Sequence, residues 1–77
     1  MADFILFGTE ACHLCEEAQH LLYENNIQFQ LNDILQEQEW QEKYALLIPV
    51  LVHSKTQQQL NWPFTGQQVQ EFCAERI

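Results

Sequence analysis

Positive charge is scarce in this chain. Three basic residues, Lys43, Lys55 and Arg76, stand against eleven acidic ones and leave a formal net charge of −8. A nucleic-acid partner requires a positive surface that neutralises phosphates, and an anionic membrane surface would repel this chain, so neither partner is expected. The charge predicts a soluble monomer; a partner or substrate of basic character is the alternative interpretation.

Long hydrophobic runs are also missing. The longest, residues 4–7 and 45–52 (the second interrupted by Pro49), are too short to span a bilayer. The first residues contain no basic segment followed by an apolar one, so no signal peptide is expected. A cytoplasmic location is therefore predicted. Thiols are kept reduced in that compartment, so the three cysteines do not predict a structural disulfide framework.

Glycine and proline number only two each, which excludes a Gly/Pro-rich low-complexity chain. Of the 77 residues, 47% are hydrophobic, which is enough for one small core and argues against disorder. We find no internal repeat and no linker. The prediction is a single domain over residues 1–77.

The first half of the chain predicts a strand, a helix and a second strand. Residues 3–7 are almost wholly apolar, which is typical of a strand buried on both faces. Apolar residues then recur at helical spacing from Leu14 to Leu22, and this amphipathic helix is expected to end near residues 25–26. Ile27, Phe29 and Leu31 alternate with polar residues, which indicates a strand with one polar face.

The second half predicts a helix, a β-hairpin and a last helix. Asp33 and Gln36 have the spacing of a helix-starting cap, and the helix carries an apolar stripe of Trp40, Tyr44 and Leu47. It must stop before Pro49. Strands over 50–52 and 59–62 flank a polar turn at 54–58. Thr65 and Gln68 repeat the capping spacing before a helix with an apolar face of Val69, Phe72 and Cys73. The order β-α-β-α-β-β-α predicts an α/β fold with a four-stranded mixed sheet and helices on both faces.

Two cysteines lie where the first helix is predicted to begin. Cys12 is expected at the helix N-terminus, where unpaired backbone N–H groups and the helix dipole favour a thiolate. The thiolate is the attacking form, so Cys12 is the predicted nucleophile and Cys15, one turn further on, the predicted resolving thiol. Glu10, Glu16 and Glu17 oppose the dipole, so we expect only modest stabilisation of the thiolate. His13 offsets them only when protonated.

Two other interpretations of these cysteines stay open. Both could be small buried core residues without chemistry. They could also bind a metal together with His13 and His20, although a closed zinc site needs a second pair of ligands. His53 and Cys73 are the remaining donors; we expect Cys73 in the core, and His53 and His20 in solvent. No metal site is predicted.

The chain carries, in this order, the stretches GTEACHLCEEA (8–18), IPVL (48–51) and LNWPF (60–64). Over nearly its whole length it resembles the short glutaredoxin-like proteins of bacteria. The resemblance implies a thioredoxin/glutaredoxin fold with strand order 2-1-3-4, and a cis-proline at Pro49 beside the dithiol. It also implies that the backbone of Ile48 pairs with the bound substrate as an added strand would. We expect His13, Leu14, Ile48 and Pro49 to contact the substrate.

Two departures from the family concern glutathione. Glutathione-using glutaredoxins resemble one another in a basic residue before the dithiol and in a Gly-Gly turn before the last helix. This chain has Thr9-Glu10 at the first position and the stretch WPFTG (62–66) at the second. The aromatic stretch is interpreted either as an apolar rim for a protein thiol or as a turn that closes the core. Because glutathione would bring negative charge to an acidic site, we predict protein thiols as partners and no cofactor.

Three functions follow as hypotheses. The first is a thiol–disulfide oxidoreductase that uses Cys12 and Cys15 on protein thiols. The second is a redox-sensitive protein-binding module with little turnover. The third is a metal-handling thiol protein.

Overall fold

The computed structural model describes residues 3–76. Its strands are β1 (Phe4–Gly8), β2 (Gln30–Asp33), β3 (Val50–His53) and β4 (Gln59–Asn61). Its α-helices are α1 (His13–Glu24), α2 (Gln38–Tyr44) and α3 (Gly66–Ala74), and a short 3-10 helix spans Ile34–Gln36. No helix in this part of the chain is both long and apolar enough to cross a membrane.

The four strands form one mixed sheet in the order β2-β1-β3-β4. β1 runs parallel to β2 and antiparallel to β3, and β3 and β4 form the hairpin. The sequence-based prediction of the sheet and its order is therefore confirmed. Since β1 and β3 are the central strands, both are buried on both faces, which explains their continuous apolar runs.

Alternation along the central strands divides the core between the two faces of the sheet. On one face, Phe4, Leu6 and Leu51 pack with α1 and α3. On the other face, Phe7, Val50 and Val52 pack with the 3-10 helix and α2. Helices therefore cover both faces, as predicted.

The helix caps were partly predictable. Thr65 forms a full capping box with Gln68 and starts α3, as expected from the spacing of these two residues. Asp33 also acts as a cap, since its Oδ1 accepts from the backbone N–H of Leu35 at 2.9 Å. However, it caps the short 3-10 helix, and α2 begins only at Gln38 with no side-chain cap.

Leu31 and Leu47 are more exposed than the sequence pattern predicts. β2 begins at Gln30 rather than Ile27, and Leu31 is half exposed. Ile27 and Phe29 still pack on the core, from the loop before the strand. Leu47 lies beyond the end of α2 and is exposed, so the stripe on that helix is limited to Trp40 and Tyr44.

The expectation that His53 is solvated was wrong. His53 ends β3 but is buried, with its ring 5.2 Å from the ring of Phe4. Its Nδ1 lies 2.9 Å from Thr56 Oγ1, so the hairpin turn supplies the polar partner that permits burial. His20 is exposed and Cys73 is buried in the core, as predicted.

Candidate functional site

The two cysteines meet where β1 gives way to α1. Ala11 adopts a positive φ of 59°, which turns the chain sharply before the helix. Cys12 is the N-cap, and its Sγ accepts a hydrogen bond from the backbone N–H of Cys15 at 3.2 Å. The two side chains form a disulfide, with their Cα atoms 5.2 Å apart. The predicted placement of Cys12 at the helix start is confirmed.

The two sulfurs differ in exposure. Cys15 is only 1% exposed, whereas Cys12 is half-buried and borders solvent. Cys15 lies against the end of β1, because a Cβ built on Gly8 would be 3.0 Å from the Cys15 Sγ. An incoming thiol or disulfide can therefore reach Cys12 and not Cys15.

Pro49 lies near the end of β1 that leads to the dithiol. The Ile48–Pro49 peptide bond is cis, and Pro49 is fully buried. In the β1–β3 ladder Phe7 pairs with Val50, so continuing the register by one residue sets Pro49 beside Gly8. Gly8 is therefore close to both Pro49 and Cys15.

Ile48 has only one of its two backbone groups free to pair with a substrate. Its N–H donates to the Tyr44 carbonyl at 3.0 Å, where the chain leaves α2. Among residues 3–76, no hydrogen bond is formed to its carbonyl. A substrate backbone could therefore donate to Ile48 but could not accept from it in this conformation.

His13 and Leu14, the residues between the cysteines, both face solvent. Leu14 is 46% exposed, and the His13 side chain lies 3.7 Å from the Glu16 carboxylate through its Nδ1. Far from them in the chain, Leu46 and Leu47 are also exposed, immediately before Ile48. Apolar side chains are therefore offered to solvent by both segments that contribute to the site.

The cleft next to the loop that precedes Cys12 is acidic. A cleft of about 450 Å³ begins at the loop before Cys12, and the carboxylates of Glu10, Glu16 and Asp33 line it. None of the described residues that line it is basic. Of the few cations in the chain, Arg76 is bound to Gln58 and the Phe72 carbonyl near the end of α3. Nothing in this cleft compensates the acidic side chains predicted around the dithiol.

The other candidate ligands are not brought to the dithiol. Within residues 3–76, no group of three or more His, Cys, Asp or Glu side chains is arranged to hold a metal ion. Cys73 is buried between α3 and the sheet. Burial raises the pKa of the Cys73 thiol to about 11, against a smaller opposing effect of Arg76.

The buried thiol gives a prediction about alkylation. At pH 8 a group with a pKa of about 11 is roughly a hundredfold less ionised than one at the ordinary value of 9.0. Iodoacetamide is therefore expected to modify Cys12 of the reduced native protein at least tenfold faster than Cys73. Peptide mapping by mass spectrometry, with urea-unfolded protein as the control, measures both rates. Equal rates in the native protein would contradict the assignment of Cys73 to the core.

Several features of the site were not accessible from the sequence. No sequence pattern indicated that Gly8 lies against Cys15 or that the N–H of Ile48 is engaged by Tyr44. The Trp62–Pro63 bond is cis as well. Phe64 packs in the core and Trp62 is half-buried against it, their rings 5.0 Å apart, so this stretch closes the core. The scarcity of glycine in the chain was the one available hint that Gly8 has a specific role.

Comparisons with known proteins agree with this architecture. The model of a family described as "Glutaredoxin-like domain (DUF836)" matches residues 3–73. An X-ray structure of the Northeast Structural Genomics target protein XcR50 from X. campestris is 25% identical, with a TM-score of 0.85 over 94% of this chain and 96% of that chain. A solution structure of the same target is 26% identical, with a TM-score of 0.84 over 97% and 95%. A search of curated proteins found no significant match.

Proposed function

The chain belongs to the glutaredoxin-like domain family, and from this premise we propose that it is an oxidoreductase that exchanges disulfides with protein thiols through Cys12 and Cys15. The family and the Cys12–Cys15 disulfide support a thiol redox module of glutaredoxin-like fold. The observation that carries the finer proposal is the asymmetry of the two sulfurs. One is accessible at a helix N-cap, and the other is buried directly behind it.

The reaction follows from that asymmetry. In the reduced protein the Cys12 thiolate attacks a substrate disulfide, forms a mixed disulfide with one substrate sulfur and releases the other as a thiolate. The Cys15 thiolate then attacks the Cys12 Sγ, the bond to the substrate breaks, and the second substrate sulfur leaves with the electron pair. The protein is left as the Cys12–Cys15 disulfide, and an external dithiol must reduce it for another cycle.

A protein substrate is supported by the surroundings of the dithiol. The exposed Leu14, Leu46 and Leu47 offer apolar contacts larger than a small thiol needs. The free Ile48 carbonyl can accept a backbone N–H from an extended segment of the substrate. The acidic cleft disfavours glutathione, which is itself an anion. We propose cytoplasmic protein thiols as the partners and a monomer as the working form.

The proposal is tested by trapping the intermediate. The reduced Cys15→Ser variant is incubated with a disulfide-bonded peptide, and the products are quenched with acid and identified by mass spectrometry. We expect a stable adduct through Cys12, because no thiol is left to resolve it, whereas the unchanged protein releases the reduced peptide. The control variant, Cys12→Ser, should form no adduct at Cys15.

Two results would refute the proposal. One is the absence of any adduct in the Cys15→Ser variant. The other is an adduct of equal yield at Cys15 in the Cys12→Ser variant, which would reverse the roles of the two sulfurs. A protein-binding module without turnover predicts instead that a partner remains bound to the Cys12→Ser variant.

A further inference from the structure

Gly8 is the last residue of β1 and lies directly under the dithiol. A Cβ at this position would be 3.0 Å from the Cys15 Sγ and 3.2 Å from the Cys15 Cβ. Both distances are tighter than nine in ten real Cβ contacts, so alanine requires Cys15 to shift by a few tenths of an ångström. The absence of a side chain at Gly8 lets the Cys15 sulfur lie in its present position without that shift.

Backbone conformation does not explain the glycine. None of the glycines in the described residues has a positive φ, so Gly8 has no need of the left-handed region. It also pairs with Asp33 in the β1–β2 ladder as an ordinary strand residue. A glycine inside a strand often marks a place where another group approaches closely. Here that group is the sulfur of Cys15.

We propose that Gly8 is a positioning residue for the resolving step, because it leaves open the space that the Cys15 sulfur occupies while it attacks Cys12. This inference rests on the proposed function. The attacking sulfur approaches the place it holds in the product, and the product is the disulfide seen here. A side chain at position 8 therefore opposes the transition state and the product of this step together.

The first step makes no such demand. When Cys12 attacks the substrate, the Cys15 sulfur need not lie in its disulfide position, so this step does not require the contact between that sulfur and position 8. In the resolving step the Cys12–Cys15 bond forms, the Cys12–substrate bond breaks, and the substrate leaves as a thiolate. Only this exchange depends on Gly8.

The test compares Gly8→Ala with a matched control, Gly66→Ala. Gly66 is the first residue of α3, and a Cβ there would also lie 3.0 Å from a neighbour, but that neighbour is the side chain of Asn25 at the end of α1. Reduced proteins are mixed with a disulfide-bonded peptide and quenched at intervals. Mass spectrometry then gives the rates at which the mixed disulfide forms and decays.

We expect Gly8→Ala to slow the decay at least tenfold and to leave the formation rate within about twofold of the unchanged protein. Gly66→Ala should change neither rate. Equilibration with dithiothreitol supplies a second readout. In Gly8→Ala the equilibrium between the Cys12–Cys15 disulfide and the dithiol should shift at least tenfold toward the dithiol. For a two-electron couple this corresponds to a change of about 30 mV in the reduction potential. A substitution that merely loosened the fold would not separate the two steps.

The other possible results either support or overturn the proposed role of Gly8. If the mixed disulfide forms and decays at unchanged rates in Gly8→Ala, the inference fails while the proposed function stands. If the unchanged protein forms no mixed disulfide, the proposed function itself fails. If Gly8→Ala does not fold, Cys15→Ala is added. Recovery of folding supports the contact between the two residues, and continued unfolding assigns Gly8 to the fold alone and overturns the inference.

Discussion

The reduced protein is expected to react with cystamine, a dicationic disulfide, at least tenfold faster than with dithiodipropionate, a dianionic disulfide of similar size. The chain carries a formal net charge of −8. Three carboxylates line the cleft that begins beside Cys12. Electrostatic steering changes association rates by roughly 10- to 1,000-fold, and a low-dielectric cleft strengthens it. Glutathione disulfide, also an anion, should react as slowly as dithiodipropionate.

The comparison needs a correction for intrinsic reactivity. Each rate is divided by the rate of the same disulfide with dithiothreitol, a neutral dithiol, and bis(2-hydroxyethyl) disulfide serves as the uncharged reference. The preference should shrink as salt is raised from 0.01 to 0.5 M, because the screening length falls from roughly 30 Å to only a few ångström. Stopped-flow measurement of thiol loss gives the rates.

A matched pair of variants locates the effect. Glu16→Gln removes a carboxylate from the cleft, whereas Glu24→Gln removes one at the far end of the same helix, roughly 12 Å along the axis at 1.5 Å per residue. Glu16→Gln should reduce the cationic preference clearly more than Glu24→Gln. If the two variants reduced the preference for cystamine equally, that preference would come from the overall charge of the protein rather than from the cleft. No preference at low salt would show that the acidic surroundings do not select substrates.

Replacing Leu51 by alanine is expected to lower the free energy of unfolding by about 3 kcal/mol, roughly a hundredfold in the equilibrium constant. Leu51 is fully buried at the centre of the sheet, where it pairs with Leu6 of β1 and Leu60 of β4. Truncation there removes apolar contacts and leaves a cavity that the flanking strands cannot fill. A domain of this size has little stability to spare, so the loss should be obvious in urea denaturation.

Leu46→Ala is the matched control for this substitution. Leu46 is 98% exposed, so the same change should alter stability by less than about 0.5 kcal/mol. It lies two residues before Ile48, and the proposed function predicts that it affects protein substrates rather than the fold. A loss of stability at Leu46 equal to that at Leu51 would contradict the burial described here.

The sequence by itself determined the features that local patterns encode. Apolar runs and helical spacing determined the element order, because each element must bury one face or both against the rest. The capping pair Thr65 and Gln68 determined the start of α3. The spacing of Cys12 and Cys15 at the first turn of α1 determined the candidate site, since both cysteines and the helix start lie within a few residues.

Only the tertiary structure decided what depends on contacts between distant segments. His53 is buried because Phe4 and Thr56 surround it. The N–H of Ile48 is engaged by the end of α2. Gly8 lies against the Cys15 sulfur because β1 ends directly beneath the first turn of α1. Sequence patterns record the polarity of a residue but not its neighbours, and these three outcomes were set by neighbours.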